Sequence, residues 1–169
     1  MYNPAQFDLI VLDFDGVLTN NKVYISESGD ETVRCDRSDG QAINAFKKLG
    51  IQPIILTTEQ NPVVEHRASK LGIPLIRGSS CKEIDLQQFL DINKTQASRI
   101  IYVGNDVNDL GAMRLASVSF CPHDSHQSIL SEATHVLITI GGSGVLREIV
   151  EQYLKVDIYT LLYSPEAQA

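Results

Sequence analysis

The chain has 169 residues, 43% of them hydrophobic, and a formal net charge of -7. That length suits one compact unit able to bury a core. The acidic balance, with no Lys/Arg cluster, gives no general attraction to nucleic-acid phosphates or anionic lipid. Apolar runs such as Leu9 to Leu12 and Val136 to Ile140 fall far short of a membrane span, and the N-terminus lacks a signal-peptide pattern. A single soluble, cytoplasmic domain over residues 1–169 is expected. Cys35, Cys81 and Cys121 lack Cys-x-x-Cys spacing, which argues against a disulfide framework or a structural zinc site.

Strand-length apolar runs alternate with segments of helical period, the pattern of an α/β fold with a doubly wound parallel sheet. Asp8 to Leu12 reads as the first strand. Lys22 to Ile25 and Glu31 to Cys35 then read as a hairpin insertion, residues 22–35, around Glu27-Ser28-Gly29-Asp30. Helices are predicted over Gln41 to Leu49, Pro62 to Leu71, Lys82 to Leu90 and Asp109 to Leu115, with Gly50 and Gly72 as C-terminal caps. The remaining strands are Gln52 to Leu56, Leu75 to Ile76, Arg99 to Val103, Ser117 to Phe120 and His135 to Ile138, and a last helix spans Val145 to Leu154. Residues 164–169 read as a flexible tail.

The first strand ends in Asp13-Phe14-Asp15-Gly16-Val17-Leu18-Thr19. In an open parallel sheet ligands bind beyond the carboxyl ends of strands, so two carboxylates there can face one pocket. Such a pair calls for a hard, oxygen-liganded cation such as magnesium, although an Asx turn is the alternative for a bare Asp-x-Asp-Gly. Thr57 follows another strand and can hydrogen-bond a phosphate oxygen or cap a helix. Lys82 opens a helix, where its charge opposes the dipole unless it meets an anion; a solvated lysine is the other reading. Gly104-Asn105-Asp106-Val107-Asn108-Asp109 supplies a second dense set of oxygen ligands. Cys121, His123 and His126 fit no common zinc spacing. Gly141-Gly142-Ser143-Gly144 lacks the residues of a phosphate loop and reads as a mobile turn before a helix.

Asp13-x-Asp15-Gly-Val, Thr57, Lys82 and Gly104-x-Asp106-x-x-Asp109, in that order, resemble the four motifs of the haloacid dehalogenase (HAD) phosphatase superfamily. The resemblance implies Asp13 as nucleophile and Asp15 as general acid and base, with Thr57 and Lys82 holding phosphoryl oxygens. It also implies magnesium bound by Asp13, the Asp15 carbonyl and the Gly104 loop, where Asn105, Asp106 and Asp109 are the candidate ligands. Asn105 stands where the superfamily commonly has aspartate.

Neither gap between motifs has room for a cap domain, so the site needs a macromolecular substrate or cover from a neighbouring subunit. The chain from Phe7 to Val156 is similar to the capless phosphatases of 3-deoxy-2-ulosonate sugar acids, on the strength of Asp13 to Thr19, the hairpin, Ser38-Asp39-Gly40 and Gly141 to Glu148. That likeness implies a homotetramer and a small sugar-acid phosphate substrate, either an octulosonate 8-phosphate or a nonulosonate 9-phosphate. Thr58 and Glu59 follow Thr57 where octulosonate phosphatases usually continue Gly-Arg, and Glu59 with Arg67 and Lys70 resembles the nonulosonate branch. Thr58, Glu59, Arg67, Lys70 and Asp39 are therefore the candidate substrate contacts. A rival reading is a non-catalytic oligomerisation or regulatory domain beside an acylneuraminate cytidylyltransferase.

Overall fold

The computed structural model describes residues 1–165. Six parallel strands form one sheet in the order β5-β4-β1-β6-β7-β8: β1 is Leu9–Leu12, β4 Gln52–Leu56, β5 Leu75–Ile76, β6 Ile100–Val103, β7 Val118–Cys121 and β8 His135–Val136. All four residues of β1 are buried because both sheet faces are covered, which is why the run is apolar without alternation. Ile10 and Leu12 pack with Phe46, Val145 and Ile149 on one face; Leu9 and Val11 pack with Leu86, Tyr102 and Met113 on the other. Truncating such a side chain to Ala costs about 2–5 kcal/mol.

The helices are α1 Ser38–Lys48, α2 Pro62–Leu71, α3 Lys82–Asn93, α4 Leu110–Leu115, α5 Gln127–Glu132, α6 Val145–Glu148 and α7 Ile158–Tyr163. α2 begins where the Asn61 side chain accepts from Val63 N at 3.0 Å and Pro62 presets the first turn; it ends at Gly72 with φ 61°. α1 begins three residues before the predicted Gln41, because Asp36 Oδ1 accepts from Ser38 N at 2.7 Å. The predicted last helix continues from α6 without a break, widening to a π-helical turn over Ile149–Tyr153. α5 and α7 are too short to carry a legible period; each starts at a side-chain cap, His126 and Asp157. Most of the predicted flexible tail, residues 166–169, lies outside the described residues.

The hairpin forms its own antiparallel sheet, β2 Thr19–Ile25 and β3 Glu31–Cys35. It starts earlier than the predicted Lys22, since Thr19 pairs with Cys35 at its base. Val33 and Cys35 pack on the main core, whereas Val23, Tyr24 and Ile25 are exposed.

Sheet order reverses beside β1: the chain runs outward through β4 and β5, then returns to its other side at β6. The crevice beyond the ends of these strands is where such a sheet binds ligands.

Candidate active site

Asp13 leaves β1 with its N–H donated to Val103 O at 2.9 Å, which places the first aspartate beside the Gly104 loop. Residues Phe14–Leu18 form a wide turn in which Gly16 has φ 87°. A Cβ there would overlap the Asn105 side chain, so the turn needs glycine for both its conformation and its space. Thr19 Oγ1 donates to Asp15 Oδ1 at 3.0 Å and accepts from Gly16 N at 3.3 Å and Asn21 N at 3.2 Å. One fully buried hydroxyl thus fixes the Asp15 side chain and the turn that carries it. Sequence reasoning gave Thr19 no role, although it stands at the end of the same motif.

Lys82, at the start of α3, lies against Asp13 Oδ1 at 2.6 Å and Asp109 Oδ1 at 2.7 Å. All three are nearly inaccessible: Asp13 is 5% exposed, Lys82 2% and Asp109 0%. Tyr102 on β6 donates to Asp109 Oδ1 at 2.8 Å, while Asp109 Oδ2 accepts from Asn105 N at 2.9 Å and Asp106 N at 3.1 Å. Both oxygens of Asp109 are therefore engaged with protein partners, and in this structure the residue holds Lys82 and the Gly104 loop. Tyr102 was read only as a strand residue.

Burial, then the neighbouring Asp109, raises the Asp13 carboxyl to about 7 against the pull of Lys82. Burial, followed by the charges of Glu59 and Glu31, raises Asp15, with its Thr19 bond opposing. Burial pulls the Lys82 ammonium down, but Asp13 and Asp109 outweigh it and the net shift is upward. Two buried carboxylates share one lysine, so the cluster has a spare negative charge.

The Asn105 Oδ1, buried against Gly16, has no hydrogen-bond partner. Asp106 turns the other way and caps the short helical turn at Val107–Asp109, accepting from Val107 N at 2.7 Å. Among the described residues no three His, Cys, Asp or Glu side chains gather as a metal cluster. A spare negative charge and an orphaned amide oxygen nonetheless suit a hard cation held by mixed oxygens: Asp13, the Asp15 carbonyl and Asn105.

Thr57 directly follows β4 and is 2% exposed. Its Oγ1 accepts from Glu59 N at 3.1 Å and its carbonyl accepts from Ser79 N at 3.1 Å. Asn61, and not Thr57, caps α2. Ser79 Oγ is buried without a partner, a feature the sequence did not advertise.

The candidate substrate contacts are dispersed. Thr58 is exposed, and Glu59 Oε1 accepts from Gln60 N at 2.6 Å and Asn61 N at 2.7 Å. Asn61 Nδ2 donates to Glu31 Oε2 at 2.8 Å, tying the hairpin to this loop. Arg67 donates to Asp36 O at 2.8 Å, and with the exposed Lys70, Arg37, Gln41 and Asn44 it lines a separate cavity of about 290 Å³. Within one chain, Arg67 and Lys70 are thus not brought against Asp13. Asp39 is a correction: fully buried, it accepts from Leu146 N at 3.0 Å and caps α6, because an acceptor is needed at that helix start. Burial raises its carboxyl to about 7.

The glycine-rich segment is also corrected. It is a packed brace and no mobile turn: Gly142 N donates to Val17 O at 3.0 Å, and a Cβ on Gly142 would lie 2.5 Å from Asn20 N.

Among the described residues no helix is long and apolar enough to cross a membrane. No family model matches the chain. It is 31% identical over 155 residues to the 3-deoxy-D-manno-octulosonate 8-phosphate phosphatase KdsC of Escherichia coli, covering 91% of this chain and 82% of that protein. A HAD family hydrolase of Streptomyces avermitilis superposes with TM-score 0.86 at 39% identity, over 89% of this chain and 87% of that one. The Moraxella catarrhalis octulosonate 8-phosphate phosphatase, solved with magnesium, phosphate and KDO, gives TM-score 0.85 at 28% identity, over 90% and 88%. With the motif aspartates, Lys82 and the hairpin arranged as described, the chain belongs to the capless octulosonate-phosphate phosphatase family of the HAD superfamily.

Proposed function

We propose that this chain is a magnesium-dependent phosphatase that hydrolyses a 3-deoxy-2-ulosonate phosphate, with an octulosonate 8-phosphate as the leading substrate. The observation that carries the reading is the buried Lys82 shared by Asp13 and Asp109 at the carboxyl edge of the sheet. Asp13 attacks phosphorus to form an aspartyl-phosphate, while Asp15 protonates the departing sugar oxygen. Asp15 then takes a proton from the water that attacks the same phosphorus, and Asp13 is released with inorganic phosphate. The raised Asp15 carboxyl supports the acid role. Lys82, the Thr57 hydroxyl and its neighbouring amides hold phosphoryl oxygens. Asp109 positions Lys82. When bound, the magnesium supplies positive charge that keeps Asp13 ionised and neutralises the phosphoryl group.

The names of the relatives support the octulosonate arm. Glu59 in place of the usual arginine is the feature that favours a nonulosonate, since a carboxylate accepts from hydroxyls and cannot pair with the acid end of the sugar. The non-catalytic reading is disfavoured: a buried, charged cluster costs stability and is best accounted for by chemistry.

The exposed Val23, Tyr24 and Ile25 support a homotetramer, in which neighbouring subunits would cover the site and bring Arg67 and Lys70 to it. The chain then acts as one domain. Free Cys35, Cys81 and Cys121 suit a reducing cytoplasm. A cytidylyltransferase partner rests on the family likeness alone.

The deciding experiment is phosphate release from a panel of ulosonate phosphates with and without magnesium. Turnover should require the metal and fall by roughly 10⁴-fold or more in Asp13→Asn, as when a nucleophile is removed. No release across the panel, or full activity in Asp13→Asn, overturns the reading.

A further inference from the structure

The loop after β7, residues 122–126, has no part in the chemistry above, yet it is bonded to both walls of the reacting turn. One wall is Asn105, whose side chain fills the space beside Gly16 where a Cβ would sit. The Asn105 carbonyl accepts from His126 N at 2.8 Å. The other wall is the glycine brace. A Cβ on Gly141 would overlap the Gly16 carbonyl oxygen, and the Gly141 N–H is donated to Asp124 Oδ1 at 2.9 Å. His123 N adds a bond to Thr139 O at 3.1 Å, on the segment leading into the brace. Turn, Asn105, loop, Asp124 and Gly141 form a closed ring of contacts.

Gly16 is the weak point of that ring, because glycine at positive φ has little torsional preference of its own. Its N–H is held by Thr19 Oγ1 and its carbonyl is pressed by Gly141, so the peptides on either side of it are fixed from outside. Gly141 is buried and its N–H needs an acceptor. Asp124, an otherwise exposed carboxylate, supplies it with a charge-assisted bond.

We propose that Asp124 is a positioning residue for the reacting turn: by seating Gly141 against the Gly16 carbonyl, it fixes the direction of the Asp15 carbonyl and side chain. This rests on the reading of the Asp13 to Thr19 turn as the reacting site. The test uses the full chain and its Asp124→Ala and Asp124→Asn variants. It measures half-saturating magnesium, kcat, thermal midpoint and, without metal, amide hydrogen exchange over residues 13–20.

Asp124→Ala should raise half-saturating magnesium and lower kcat, each by about ten-fold, the worth of one hydrogen bond to a charged acceptor. Its thermal midpoint should move by only a few degrees. Exchange over residues 16–20 should accelerate. Asp124→Asn keeps an oxygen acceptor and should restore each value to within about two-fold. Unchanged exchange and magnesium dependence in Asp124→Ala, or equal defects in Ala and Asn, overturn the proposal. If the unaltered chain released no phosphate, the functional reading would fall, while the metal-free exchange would still decide whether Asp124 holds the turn.

Discussion

Two regions hang from the end of β1, and they are built in opposite ways. The Asp13, Lys82 and Asp109 cluster is buried, closely bonded and complete within one chain. The hairpin that follows exposes Val23 at 53% and Ile25 at 68%, and its side-chain bonds, such as Ser26 to Ser28 and Asn61 to Glu31, lie in solvent. The reacting groups are thus pre-organised by the fold itself, as electrostatic catalysis requires. The part that would cover them leaves Val23, Tyr24 and Ile25 exposed beyond its packed base, and a two-stranded ribbon by itself is marginal in water.

The harshest test of the first half is Lys82→Met, which keeps the aliphatic stem but removes the charge. Two buried carboxylates would then face each other without a cation. Folding stability at pH 8 should fall by about 3–5 kcal/mol in urea titrations. The loss should shrink toward pH 5, because Asp13 takes up a proton near 7. A loss below about 1 kcal/mol would mean that the cluster is less closed than its geometry indicates.

Asp39 offers a second, smaller probe, remote from the reaction. Its carboxyl is raised from 3.8 to about 7, so the folded chain holds that proton more tightly than the unfolded one. The sign follows: the contribution is fully present below pH 3.8 and is lost as pH rises through 7. At about 1.4 kcal/mol per unit it amounts to at most about 4 kcal/mol. Asp39→Asn keeps an acceptor for Leu146 N, so it should stabilise the chain at pH 8 and flatten the slope between pH 4 and 7. An unchanged slope in urea titrations across that range would show that Asp39 ionises in the folded chain as readily as in the unfolded one.

The sequence carried the sheet and the linear motifs well, because a continuous apolar run such as Leu9 to Leu12 states its own burial and Asp13 and Gly104 sit at strand ends by default. It could not say which oxygens face inward. Asn105, Asp106 and Asp109 are equally plausible ligands on paper. Only the fold turns Asp109 onto Lys82 and Tyr102, Asp106 onto Val107, and leaves Asn105 Oδ1 unpaired. Asp39 misled for a related reason: a polar residue opening a helix reads as accessible, yet α6 needed its carboxylate as a cap 107 residues away. The glycines of 141–144 misled because flexibility and close approach have one signature in sequence and opposite meanings in space.

The smallest effect on folding should come from the hairpin, and that is what separates it from the cluster. Val23 and Ile25 are more than half exposed in the single chain, so replacing both with Thr removes little buried area. The change in unfolding free energy of the isolated chain should stay within about 0.5 kcal/mol per site. If these side chains instead lie in a subunit interface, the same double variant removes apolar groups from its centre, where a few residues carry most of the association energy. Sedimentation velocity should then show dissociation at protein concentrations where the unaltered chain is assembled, and turnover should fall with assembly as the site loses its cover. An unaltered sedimentation profile would move the interface off the hairpin. The exposed apolar run would then have to be read as a feature of the single chain, and the source of cover for Asp13 sought elsewhere.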